Sequence, residues 1–293
     1  CPCYCFLHFC WVLLLLPLFS PHSGILLQES YPEVLKHGDT YFQDSYVKWL
    51  QTGGAKVVPI RYHLTVTRHA NKFKLYCFSV LLPGGDVDTM TSAYAKAAQI
   101  IYKLFNNAGS YFPLWGTCLG FEELMYLQTG KNLLTKCDAF DLMLPLEFTQ
   151  SNIPTDLTRL NITANYHENC TTLDVSKFVC ILALSFPGLK NIFWGPIFSS
   201  LSAYKYPIYG NQWHPEMNPF DMSYKEHVPH TLQSVQASQY LATFFVDEAR
   251  KSDHQFLTME EESKAVIENY KPVFLGPPGF YNFYFFNITK MAT

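Results

Sequence analysis

Two kinds of stretch alternate along the first half of the chain. Short runs that are apolar at nearly every position predict strands at Gly24 to Gln28 (GILLQ), Ala55 to Ile60 (AKVVPI), Leu75 to Leu82 (LYCFSVLL) and Tyr111 to Gly116 (YFPLWG). Between them lie segments with helical spacing. Thr40 to Gln51 predicts a helix closed by Gly53-Gly54. Thr91 to Asn107 repeats Tyr94, Ala98, Ile101 and Phe105 at helical intervals, and Phe121 to Gln128 predicts a third helix. Strands without a polar face must be covered on both sides. The expected fold is therefore α/β, with a mostly parallel central sheet and helices on both faces. Later, Tyr206 to Trp213 is strand-like, and Leu232 to Arg250 is a helix whose basic end (Arg250, Lys251) suits the dipole. Phe186 to Ala203 and the aromatic tail show no readable pattern. With no internal repeat and no linker, residues 23–293 are expected to form one domain.

Composition narrows the class. Of 293 residues, 48% are hydrophobic and 15% charged, enough apolar surface for a substantial core and too little charge for a disordered chain. A net charge of -3 offers no basic surplus, so nucleic-acid binding is not expected. No Asp, Glu, Lys or Arg precedes Glu29, and Phe9 to Phe19 (FCWVLLLLPLF) is an apolar run short for a bilayer span. The run suits a secretory leader, expected to occupy residues 1–22, with no stable membrane insertion. Three N-x-[ST] sequons, at Asn161, Asn169 and Asn287, are expected glycosylation sites and agree with export to the extracellular space or the lysosome. Nine cysteines occur, five of them beyond the leader. An odd number in an oxidising compartment leaves at least one thiol unpaired within the chain. There is no C-x-x-C pair and no metal-spaced Cys/His cluster, so neither a metal nor another cofactor is expected.

The informative segment is Gly116-Thr-Cys118-Leu-Gly120, a G-x-C-x-G string between a predicted strand and a predicted helix. This is the setting of a nucleophile elbow: glycines allow a sharp turn that lifts the nucleophile to the strand tip at a helix N-terminus. Partial positive charge there favours a thiolate, and the Leu119 N–H would face an oxyanion. His214 and Glu216, in Gln212-Trp-His214-Pro-Glu216, supply a base and a carboxylate to orient it, the partners a thiol nucleophile needs. Pro83-Gly84-Gly85 ends the third strand, where the backbone N–H groups of Gly84 and Gly85 could complete the oxyanion hole.

These residues resemble the γ-glutamyl hydrolase family of the class I glutamine amidotransferase-like (flavodoxin-like) superfamily. The matching strings include FPLWGTCLGFEEL (112–124), ITANYH (162–167) and YKYPIYGNQWHPE (204–216), and the likeness covers most of residues 24–251. The resemblance implies that Cys118 is the nucleophile, His214 the general acid/base and Glu216 its carboxylate partner. It further implies that Glu122, His167 and Tyr46 line or contact the substrate site. The implied activity is hydrolysis of folate and antifolate poly-γ-glutamates through a Cys thioester, without a cofactor, by a secreted or lysosomal homodimer. Two alternatives use the same residues: a glutamine amidase, and a non-catalytic secreted paralogue that binds γ-glutamyl ligands.

Overall fold

A computed structural model describes residues 20–62, 77–106, 111–145, 147–148, 161–171, 179–185, 197–203, 206–223, 227–276 and 281–287. The chain opens with β1 (His22–Leu26), β2 (Gln28–Glu29), β3 (Thr40–Gln43), α1 (Asp44–Thr52), β4 (Lys56–Ile60), β5 (Ser79–Leu82), α2 (Ala93–Asn106), β6 (Leu114–Thr117) and α3 (Leu119–Thr129). It continues through β7 (Leu134–Pro145), β8 (Glu147–Phe148), β9 (Asn161–Thr171), β10 (Val179–Ser185), β11 (Ile197–Ala203) and β12 (Ile208–Asn211). Last come α4 (Met217–Phe220), α5 (Leu232–Ala249), α6 (Met259–Ala265), β13 (Val273–Phe274) and β14 (Asn282–Phe286).

Eight strands form the main sheet in the order β4-β1-β5-β6-β12-β11-β10-β8. The first five run parallel to one another, and β11, β10 and β8 extend the sheet with antiparallel pairings. The α/β architecture expected from the apolar runs is thus present, with an antiparallel flank. Successive residues of one strand point to opposite faces. Leu26, Val80, Leu82 and Leu114 face one core with Tyr94, Ile101 and Phe121 from α2 and α3. Ile25, Leu81 and Trp115 face the other with Trp49 and Leu50 from α1 and Phe245 and Val246 from α5. This two-sided burial explains why these strands carry no polar face; a side chain such as Phe121, fully buried, contributes about 1.5–3 kcal/mol.

The sequence pattern misassigns one short segment. Thr40 to Gln43 is not the first turn of a helix but β3, which pairs antiparallel with β14 and with β2 in a second sheet of order β13-β14-β3-β2. Its partner is the aromatic tail, some 240 residues away in sequence, as the Thr40 hydroxyl bond to the Phe286 carbonyl illustrates. Thr40 to Gln43 has no turn signal before Asp44, so local spacing runs it into α1. The tail, which shows no sequence pattern, thereby has a role: Phe42 packs on Tyr284 and Phe286. A third pairing, β7 with β9, carries register shifts and includes Asp141 at φ 56, a bulged geometry that hides strand alternation from the sequence.

β1 begins at His22, the last residue assigned to the leader; the apolar run 9–19 lies outside the described residues. No described helix is long and apolar enough to cross a membrane.

Candidate active site

Three adjacent parallel strands, β5, β6 and β12, end side by side, and each is followed by a segment that carries chemistry. Ligands in open α/β sheets gather at this carboxyl edge because the loops diverge there.

After β6 the chain turns through Cys118, the N-cap of α3, with φ 50 and ψ -112. A non-glycine residue in such a conformation is strained and must be held by its surroundings. The holding contacts are the Cys118 N–H donated to the Asn211 carbonyl of β12 at 2.9 Å, and the Glu122 N–H donated to the Cys118 carbonyl at 3.0 Å. Gly120 permits the helix to start this close to the sheet: a Cβ there would lie 1.9 Å from the Leu82 carbonyl oxygen. The local fold is the strand–elbow–helix predicted from G-x-C-x-G.

After β12 comes His214. Its Nδ1 lies 2.7 Å from Glu216 Oε1, and its ring is hydrogen-bonded to Cys118. With Nδ1 engaged, Nε2 is the nitrogen left for the sulfur. Glu216 is fully buried and His214 only 6% exposed. Burial on its own pushes the imidazole pKa down, but the charges of Glu216 and Cys118 outweigh it and lift the pKa to about 10. The imidazole is therefore protonated at neutral pH.

The turn after β5 closes the triangle. A Cβ on Gly84 would sit 2.8 Å from His214 Cε1, 2.8 Å from the Tyr46 hydroxyl and 3.2 Å from Cys118 Cβ, so only glycine fits between these three side chains. The Tyr46 hydroxyl accepts the Gly84 N–H at 2.8 Å and lies 3.4 Å from His214 Nδ1. Burial, then the nearby Glu216 and Cys118, hold its phenol far above the usual range, so it stays neutral. Tyr46 is buried on α1 against the imidazole, behind the reacting groups.

In front of them opens a cleft of about 700 Å³. Gly85, Cys118, Leu119 and Glu122 line one part of it, and Lys136 and Phe140 of β7 another. Glu122, one helical turn beyond Cys118, accepts a hydrogen bond from Gln212 Nε2 at 3.0 Å. Burial raises its carboxyl to about 7, only partly offset by that bond.

Of the residues singled out in the sequence, Cys118, His214, Glu216 and Tyr46 come together, and Gly85, Leu119 and Glu122 share the cleft with Cys118. The backbone of His167 lies in β9 opposite Ala139 of β7; its side chain, and those of Asn161 and Asn169, lie outside the described residues. Asn287 is half-buried just after β14. Cys77 and Cys118 are both free and buried. Gln212 and Gln28 escaped sequence reasoning. Gln28 donates to the Gly84 carbonyl at 2.7 Å and braces the turn, a contact 56 residues apart that no local signal encodes. Among the described residues no group of three or more His, Cys, Asp or Glu is placed to hold a metal ion.

A parallel α/β core with a thiol elbow, a histidine–glutamate pair and a glycine turn at one sheet edge defines the glutamine amidotransferase-like class. A Thermoplasma acidophilum protein assigned as a GMP synthase A subunit has this fold, aligning with a TM-score of 0.51 and 12% identity over 84% of this chain and 98% of its own. No protein-family model matches the chain. Curated relatives are nearer: γ-glutamyl hydrolase of Homo sapiens is 40% identical, covering 88% of this chain and 86% of the human protein. The Bos taurus enzyme is 39% identical with the same coverage, and γ-glutamyl hydrolase B of Dictyostelium discoideum is 36% identical over 87% of this chain and 79% of its own. The chain belongs to the γ-glutamyl hydrolase family, a family of enzymes.

Proposed function

We propose that this protein is a thiol hydrolase that cleaves γ-glutamyl bonds of folate and antifolate poly-γ-glutamates. The observation that carries the reading is the meeting of Cys118 with the buried His214–Glu216 pair at the edge of the cleft. The Cys118 sulfur attacks the γ-carbonyl carbon, and its C=O electrons move onto oxygen. Two N–H groups are available to that oxyanion, those of Leu119 and Gly85. Gly84 is excluded because its N–H is already bound by Tyr46. His214 gives its proton to the departing glutamate amine as the C–N bond breaks, leaving a thioester. Water then attacks the thioester carbon, His214 takes a water proton, and the sulfur leaves. Glu216 holds the imidazole in one orientation through both halves and stabilises its charged form. Secretion or a lysosomal location and glycans on Asn161, Asn169 and Asn287 belong to the same reading, supported by the leader-like run and the sequons; a homodimer belongs to it through the family resemblance alone.

The test is release of glutamate from a poly-γ-glutamyl folate. Cys118→Ala is expected to lower kcat by about 10³-fold or more. Equal rates in wild type and variant would remove Cys118 from the mechanism.

A further inference from the structure

A γ-linked glutamyl residue carries one free carboxylate on the acyl side of the scissile bond. Linkage through the side chain leaves the α-carboxylate of the acyl residue free, a few bonds from the carbonyl under attack. A site that hydrolyses γ-bonds therefore gains binding energy by offering that carboxylate a cation.

The described charges of the cleft are unevenly distributed. Asp86 and Asp88 come from the loop after β5, and Glu122 from α3; Lys136, on β7, is the one cation among the described lining residues. Asp88 is held locally through Oδ1, which accepts the N–H groups of Met90 and Thr91 and the Thr91 hydroxyl. Lys136 is exposed, and no described carboxylate pairs with it. A substrate carboxylate entering this cleft loses hydration and meets like charge from two elements, a cost that one opposite charge relieves. A lysine suits the task, since its flexible stem carries a compact charge to a carboxylate whose position varies with the chain bound.

We propose that Lys136 recognises the free α-carboxylate of the γ-glutamyl residue whose carbonyl Cys118 attacks. The assignment rests on the hydrolase reading above and names a specificity contact within it. Lys136 touches the substrate but takes no part in bond making.

The experiment compares an N-acyl-γ-glutamyl-glutamate with the same compound carrying a primary amide in place of the α-carboxyl of the acyl residue. Both are assayed for glutamate release with wild type, Lys136→Met, Lys136→Arg and Cys118→Ala. Lys136→Met is expected to raise KM for the acid about tenfold or more with little change in kcat, because the contact is made equally in ground and transition states. It is expected to match wild type on the amide, and Lys136→Arg to retain most of the preference for the acid. Loss of the same size on both compounds, or on neither, overturns the assignment while Cys118-dependent turnover leaves the hydrolase reading intact. A wild type that releases glutamate from neither compound overturns the reading itself, and the Lys136 assignment with it.

Discussion

The two edges of the parallel sheet carry the same three residue types in different states. At the carboxyl edge stand Cys118, His214 and Glu216; at the amino edge stand Cys77, His22 and Glu262. Burial does not separate them: His22 is 7% exposed and His214 6%, Cys77 1% and Cys118 7%. Both histidines also touch a glutamate, His22 Nε2 at 3.0 Å from Glu262 and His214 Nδ1 at 2.7 Å from Glu216. Yet burial lowers the His22 pKa despite Glu262, whereas Glu216 and Cys118 together raise that of His214 to about 10. The difference lies in what shares the carboxylate. Glu262 is also bound by Lys56 and is partly open to solvent, so its field at His22 is divided and screened. Glu216 is fully buried and meets no described lysine or arginine. Burial of Cys77, with no helix N-terminus behind it, drives its thiol up to about 12 and leaves it inert. A buried histidine keeps its proton only where the negative charge around it is not shared with another cation or screened by solvent.

Four measurements press on this contrast. The largest separates the two thiols: Cys118→Ala is expected to lower turnover by about 10³-fold or more, while Cys77→Ala is expected to keep activity within about twofold and cost about 1 kcal/mol of stability for the lost sulfur. Iodoacetamide followed by peptide mass mapping of the native protein should label Cys118 well before Cys77.

Next, Glu216→Gln is expected to reduce kcat by about 10²–10⁴-fold, since the ring loses both its orientation and the charge that holds its proton. The same variant tests linkage. His214 has its pKa raised from 6.5 to about 10, so its contribution to stability is full below about pH 6.5 and is lost as pH climbs through 10. Denaturant titrations between pH 6 and 10 should show that alkaline decline in wild type and a weaker one in Glu216→Gln.

Glu122 gives a smaller effect of the same sign at lower pH. Its carboxyl is raised from 4.5 to about 7, so the native state keeps a proton that the unfolded chain releases, and stability falls as pH rises between those values. Glu122→Gln should remove that slope. It should also remove a limb near pH 7 in kcat/KM for anionic substrates, because the neutral amide no longer acquires a charge facing the cleft. A kcat/KM profile unchanged in the variant would take Glu122 out of the pH response.

The smallest belongs to the amino edge. Glu262→Gln removes the charge that ties α6 to Lys56 and His22 and is expected to lower stability by about 1 kcal/mol with turnover unchanged. A loss of activity there would mean the two edges are coupled.

How much of this was legible follows from how each feature is encoded. The parallel strands announced themselves because two-sided burial forces continuous apolar runs, and the elbow because only glycines fit around Cys118. His214 and Glu216 were readable as one string. The β7–β9 ladder was not: bulges break its alternation, and Lys136 and Phe140 therefore gave no hint of a cleft wall. Nor was Gln212 as a partner of Glu122, since an amide–carboxyl bond between residues 90 apart leaves no local mark. Tyr46 was visible as an aromatic near the site but not as a residue behind the imidazole, because that depends on how α1, running on from β3, is seated beside His214, 168 residues away in sequence.

That dependence sets an order of events during synthesis. Tyr46 stands on the first turn of α1, which continues directly from β3, and β3 is hydrogen-bonded along its length to residues 283–286. A nascent chain that has already exposed Cys118 and His214 still lacks the strand that seats the tyrosine. The tyrosine beside the imidazole is therefore not anchored through β3 until residues 283–286 have left the ribosome.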